Sequence, residues 1–232
     1  MGYLKSRSWV ILGGAFIVLA GGTWIVISKN TTDFNPTLPL VSSVANNVNP
    51  VVQKKTNVIG QLEVFSIDEA VKNADLIAEV EITGVVEELD DPLHKTIFSA
   101  VIGDAIKGDL SPGTAIHIMQ QGNSKTSFNE NPLFETKDKY VLVLKKAVGM
   151  NSDHTYWILG EETGVFEELD DKTLVKWTLP DKKLKPAEVS VEQDSAKKPK
   201  LEKIKEKVIG KDTHVIDKEK LKNIIKDQMM IR

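Results

Sequence analysis

The sequence predicts a mainly β protein: a small five- or six-stranded barrel behind a short helix, with an N-terminal transmembrane helix and a charged C-terminal helical tail. Three observations carry this. From Leu76 to Leu89 apolar and polar residues alternate, the period-2 signature of a half-buried strand. Shorter runs of similar character follow up to Trp177, each bounded by turn residues. The amino terminus holds a long uncharged run, and beyond Pro180 the chain becomes lysine-rich with helical patterning.

Composition frames the rest. Of 232 residues, 41% are apolar and 27% charged, which excludes a disordered, collagen-like or multi-span membrane chain. There is no cysteine. That excludes a disulfide scaffold, a zinc finger, a thiol nucleophile and a lipid-modified N-terminal cysteine.

Ser8 to Ser28 is uncharged over 21 residues, and a helix of that length spans about 30 Å, the thickness of a hydrocarbon core. Trp9 and Trp24 stand near its ends, where indole rings favour the lipid interface. Lys5 and Arg7 precede the run, and Lys29 follows it. The positive-inside bias then puts the amino terminus in the cytoplasm and the chain beyond Lys29 outside the cell membrane. A cleaved signal peptide, with Ala20 and Gly22 as the small residues, is the alternative. The apolar run continues through Ile27, beyond the roughly 7–15 residues of a signal peptide. Residues 1–29 are therefore assigned to the cytoplasmic end and the anchor.

Residues 30–61 are rich in Asn, Thr, Ser and Val, are interrupted by Pro36, Pro39 and Pro50, and keep no period. They read as a disordered stalk. The barrel domain is assigned to 62–180. It opens with a helix over Ser66–Ala74, where Ser66 and Glu69 have capping-box spacing. The long strand Leu76–Leu89 places Ala78, Val80 and Ile82 on one face and Glu79, Glu81 and Glu87 on the other. Further strands are expected at 96–106, 114–121, 140–144, 155–159, 164–169 and 173–177, and 121–138 reads as a polar loop or lid. Thr83–Asp91 recurs as Thr163–Asp171 with one difference. The match is too short for a structural repeat and reads as two similar strand-plus-turn segments.

The tail, 181–232, holds a short charged helix near Leu201–Ile209 and a helix over 217–229, in which Leu221, Ile224, Ile225 and Met229 form an apolar stripe behind Asp217 as cap. Dividing the charge is informative. Gly60–Pro180 has 10 basic and 22 acidic residues, a net of −12, whereas Asp181–Arg232 has 15 basic and 10 acidic, a net of +5. The tail either folds back on the acidic domain or touches an anionic lipid or wall polymer.

Ala74-Asp75-Leu76-Ile77-Ala78-Glu79-Val80 opens the first strand directly after a helix, Ile106-Lys107-Gly108-Asp109 closes the second, and Lys139-Tyr140-Val141-Leu142-Val143-Leu144 opens a later one. On these residues Ser66–Trp177 resembles the oligonucleotide/oligosaccharide-binding (OB) barrel of the tissue inhibitors of metalloproteinases and netrin-type domains. Its cysteine-free form is that of functionally unassigned surface proteins of Gram-positive bacteria. The resemblance implies an OB-like barrel at a bacterial surface. In the eukaryotic inhibitors an N-terminal cysteine chelates the protease zinc; this chain has no cysteine, so that mechanism is not implied.

His94, His117, His154 and His214 lie in no GxSxG, HExxH or SxxK context. His117 falls in a strand pattern and reads as structural or exposed. Glu87, Glu88, Asp90 and Asp91, or Glu167, Glu168, Asp170 and Asp171, offer oxygen ligands but lack EF-hand spacing, and read as solvated turns. No glycine loop cradles phosphate, so neither a cofactor nor a metal is expected. A net charge of −12 disfavours nucleic acid. Phe128, Phe134, Tyr156, Trp157, Phe166 and Trp177 either line a ligand groove or, the commoner fate of such residues, fill the core. Tyr156 and Trp157 are adjacent and face opposite sides of a strand, so one of them is expected at the surface, and the pair are the candidate ligand contacts. The expectation is a membrane-anchored extracytoplasmic protein whose non-catalytic barrel binds a protein or cell-wall partner. An inhibitor or regulator of an extracytoplasmic protease, and an enzyme with a site not recognisable in sequence, are the alternatives.

Overall fold

The computed structural model of the chain describes residues 55–61, 63–91, 93–149, 154–177, 183–184, 194–208 and 210–231. The expected membrane anchor and most of the expected stalk lie outside them. Among the described residues no helix is long and apolar enough to cross a membrane.

Strand β1, Thr56–Val58, lies within the segment expected to be a stalk. Helix α1, Ile67–Asn73, follows, and its capping box is complete. Ser66 N–H donates to Glu69 Oε2 at 2.9 Å, and Ser66 Oγ accepts from Glu69 N–H at 3.4 Å. At the other end Lys107 Nζ donates to the carbonyls of Val71 and Ala74, which the helix leaves without amide partners.

The first long strand, β2, covers Leu76–Leu89, as its alternation predicts. It is followed by β3 (Lys95–Lys107), β4 (Ala115–Gln121), β5 (Thr126–Phe128), β6 (Lys139–Lys146) and β7 (Thr155–Ile158). A 3₁₀ turn over Glu161–Gly164 leads into β8 (Val165–Asp170) and β9 (Thr173–Lys176). The tail supplies α2 (Lys198–Lys207), β10 (His214–Asp217) and α3 (Lys218–Met230), with Asp217 Oδ1 accepting from Lys220 N–H at 2.8 Å as the α3 cap.

Five strands close into a ring. β2 pairs antiparallel with β3, β3 with β4, β7 with β6 and β6 with β2, while β4 and β7 run parallel. The result is a cysteine-free five-stranded mixed β-barrel. β8, β9 and β10 extend antiparallel from β6, and β1 pairs in parallel with β5 as a separate two-stranded sheet. The last pairing was not expected, because β1 and β5 are three residues each and carry no alternating apolar signal.

Alternation explains the packing. Ala78, Val80 and Ile82 of β2 join Phe98, Ile102, Ile116, Ile118 and Leu142 in the barrel core. The outer face at one end is buried too. Ile77, Val141, Val143 and Phe166 lie beneath Val71 of α1 and Leu221 and Ile225 of α3. That is why Tyr140–Leu144 is apolar on both parities, whereas a strand facing water on one side would alternate.

The compact unit runs from Pro50 to Arg232. The tail therefore packs within it. Leu201, Ile204 and Val208 join the barrel core, and lysines of the tail reach its carboxylates. Lys197 pairs with Asp170 at 2.7 Å, Lys207 with Asp138 at 2.6 Å and Lys218 with Glu168 at 2.8 Å. Of the two roles open to the basic tail, folding back on the acidic domain is the one observed.

Candidate functional site

The parallel pairing of β7 with β4 fixes where the two candidate contact residues point. Tyr156 turns into the barrel core. Burial, then the nearby Asp75 charge, pushes its phenol up from the usual range. Trp157, one residue on, lies on the outer face, half-buried beside Ile97, Met119 and Ala147. Lys95 Nζ sits 4.4 Å from the centroid of its ring, a cation–π contact. Trp157 is therefore the outward member of the pair, and Tyr156 is a core residue.

Sequence reasoning missed a third participant. After β7 the chain enters left-handed backbone at Gly160 (φ 68°) and Glu161 (φ 46°). A side chain at Gly160 would meet Thr163 Oγ1 at 2.1 Å, so the turn requires glycine there. A glutamate in this region is uncommon and strained. Glu161 is also buried. Its carboxyl accepts from the side chain and the backbone N–H of Gln121, at the end of β4. Burial pushes that carboxyl up to about 7; the Gln121 hydrogen bonds and Lys95 oppose the shift, and Glu162 adds to it. Glu162 is held by Lys211 of the tail, which also donates to Asn131 Oδ1. Nothing local in the sequence marks Glu161 as buried; only the glycine before it signals a turn.

Lys95, Gln121, Trp157 and Glu161 thus gather on the outer face of β3, β4 and β7. Lys95 and Trp157 offer a cation and an indole surface there, suited to holding a ligand by stacking and charge, while the buried Glu161 carboxyl, held by Gln121, lies beneath them as a positioning group.

The acidic turns have other partners. Asn123 Nδ2 donates to Asp90 Oδ1 at 2.8 Å, and His94 Nδ1 and Lys125 Nζ each lie 3.3 Å from Asp90. Ser124 Oγ donates to Glu88 at 2.7 Å. In the second copy of the peptide, Trp177 Nε1 donates to Glu167 at 3.1 Å, and Glu168 and Asp170 are taken by tail lysines. The identical Glu-Glu pairs have opposite fates: Glu87 and Glu88 are exposed, Glu167 and Glu168 buried. Among the described residues no group of three His, Asp or Glu side chains is placed to hold a metal ion. His117 is half-buried on β4, away from any such group. Phe134, Phe166 and Trp177 fill the core.

No protein-family model matches the chain, and no curated protein matches it in sequence. The class is given by the geometry: a cysteine-free five-stranded mixed β-barrel with a tryptophan-bearing outer face.

Proposed function

We propose that this chain is a membrane-anchored, extracytoplasmic binding protein whose non-catalytic, OB-like barrel holds a protein or cell-wall partner on the outer face of β3, β4 and β7. The observation that carries the reading is Trp157, half-buried on that face with Lys95 against its ring. In chain order the ring runs first, second, third, fifth and fourth strand, with one parallel pair between the third and the fifth. That order supports an OB-like barrel of the kind to which netrin-type domains belong, and OB barrels bind ligands on the face of their second and third strands. Those strands are β3 and β4, which carry Lys95 and Gln121. The membrane and surface location rests on the uncharged run Ser8–Ser28.

In-cell crosslinking of the full-length protein, followed by affinity capture and mass spectrometry, tests the reading. A stoichiometric partner whose capture falls at least about tenfold in Trp157→Ala is expected. Self-crosslinks alone, or capture indifferent to Trp157, would count against the proposed face.

A further inference from the structure

The β2–β3 hairpin outgrows the barrel. β2 pairs with β6 only from Leu76 to Glu81. The last backbone links on that side are Ile82 N–H to Asp138 O at 3.0 Å and Lys137 N–H to Ile82 O at 2.7 Å. From Thr83 to Leu89, β2 keeps β3 on one side and has no strand partner on the other among the described residues. Val85 and Val86, on this overhang, are 58% and 51% exposed.

A groove of about 400 Å³ runs up to the start of the open edge, with Glu81, Thr83, Gly103, Lys139, Glu168 and Asp171 among its walls. Lys139, Glu168 and Asp171 also line a second hollow of about 290 Å³, so the two are adjoining. The lysines in the first groove are committed internally: Lys139 lies 4.0 Å from Glu81, and Lys218 holds Glu79 and Glu168. Glu87, Asp91 and Asp171 are exposed and have no cationic partner among the described residues. Glu87 on the open strand and Asp91 and Asp171 on turns put negative charge near this edge, which repels a second copy of it and so guards against self-pairing. The same charge attracts a strand that carries lysine or arginine.

We propose that the open edge of β2 from Thr83 to Leu89, with the acidic groove beside Thr83, is a strand-addition site for a basic, extended peptide segment. Backbone hydrogen bonds to the edge supply affinity, Val85 and Val86 give apolar contact, and Glu81, Glu87 and Asp171 select positive side chains. The inference rests on the binding-protein reading and adds a second surface and the chemistry of its partner.

The test uses the full chain in neutral detergent at low salt, with a fluorescein-labelled peptide of alternating Lys and Thr as probe. Saturable binding is expected from the anisotropy. Affinity should fall about tenfold or more when alternate peptide amides are N-methylated, and again when Lys is replaced by Glu. Two variants of the protein should weaken the probe by a similar factor. Gly103→Val fills the groove, and a Cβ there meets only Glu79 atoms at 3.7 Å, an ordinary contact. Asp171→Lys reverses a charge on an exposed turn. Thermal unfolding of both variants establishes that the fold is kept, and should Gly103→Val fail to fold, Asp171→Lys decides. Equal binding of the N-methylated probe would reduce the effect to charge attraction and overturn strand addition. Absence of saturable binding, or unchanged affinity in the folded variants, would do the same. A chain that ignores the probe yet still crosslinks to a partner through Trp157 would lose this inference and keep the broader reading.

Discussion

Glu161 shows how one side chain ties the fold to its candidate site. Its carboxyl occupies the place beside Gln121 N–H, just past the last pairing of β4 with β7 at Met119 and Trp157. Because burial raises its folded pKa to about 7 from an ordinary 4.5, the native state holds a proton there that the unfolded chain has released. The stability it contributes is complete below about 4.5 and is lost as pH rises through about 7. At about 1.4 kcal/mol per pH unit, the swing is about 3 kcal/mol. Glu161→Gln should therefore stabilise the protein relative to the parent at pH 8 and change it little at pH 4.5. Urea unfolding of both proteins at the two pH values measures this. A difference of the same size at both would remove the proposed titration.

At the scale of elements, the two-stranded sheet of β1 and β5 is held by hydrogen bonds. Every residue of β1 is exposed. Beside backbone bonds such as Thr56 N–H to Lys125 O at 2.9 Å and Asn129 N–H to Val58 O at 2.8 Å, side-chain bonds come from a turn with two successive left-handed residues, Asn129 (φ 50°) and Glu130 (φ 58°). Asn129 Oδ1 accepts from Gly60 N–H at 2.9 Å, and Asn129 Nδ2 donates to Gly60 O at 3.0 Å. Asn57 Oδ1 accepts from Glu130 N–H at 3.0 Å. A Cβ at Gly60 would stand 2.6 Å from the Phe128 ring, so a larger residue there would have to displace that ring. Elements with little buried apolar surface open most readily. Asn129→Ala removes two bonds worth about 1 kcal/mol each and puts a less tolerant residue in left-handed backbone. Amide exchange around Gly60 should quicken about tenfold or more, while β2 and β6 keep their protection. Unchanged protection at Gly60, or equal acceleration in the barrel, would show that β1 is held another way.

At the scale of the molecule, the basic tail completes an acidic barrel. Lys218 is buried between Glu168 at 2.8 Å and Glu79 at 2.9 Å, and Lys222 reaches Glu79 and, at 3.1 Å, Asp104. Burial pushes the Glu79 carboxyl up, but Lys222 and Lys218 outweigh it and hold the group below its usual range. A depressed carboxylate contributes stability above its unfolded pKa and loses it as pH falls through the folded one, so acid weakens this contact. Removing one member of a buried pair strands the other. Lys218→Met should cost about 3 kcal/mol or more, and Glu168→Gln in the same chain should return a substantial part. Chemical denaturation of the two single variants and the double variant gives the coupling. Simple additivity would mean that the two groups do not act as a pair.

The sequence by itself determined the local elements. Alternation placed β2 to the residue, the Ser66–Glu69 spacing placed α1, and the charge divided at Pro180 marked a basic tail that either folds back on the acidic domain or meets an anionic polymer. These are readable because period, capping and net charge are properties of neighbouring residues. It also showed that one of Tyr156 and Trp157 must turn outward, since successive residues of a strand face opposite sides. Only the tertiary structure decided that Trp157 is the outward one, because the outward side depends on the register of β7 against β4. The same holds for β1, β5 and β10, whose short runs gain their form from partners distant in sequence. It holds for Glu161 and for the identical Glu-Glu pairs at 87–88 and 167–168, one pair in water and one buried. Burial is set by what packs over a residue, and that covering comes from parts of the chain that no local pattern encodes.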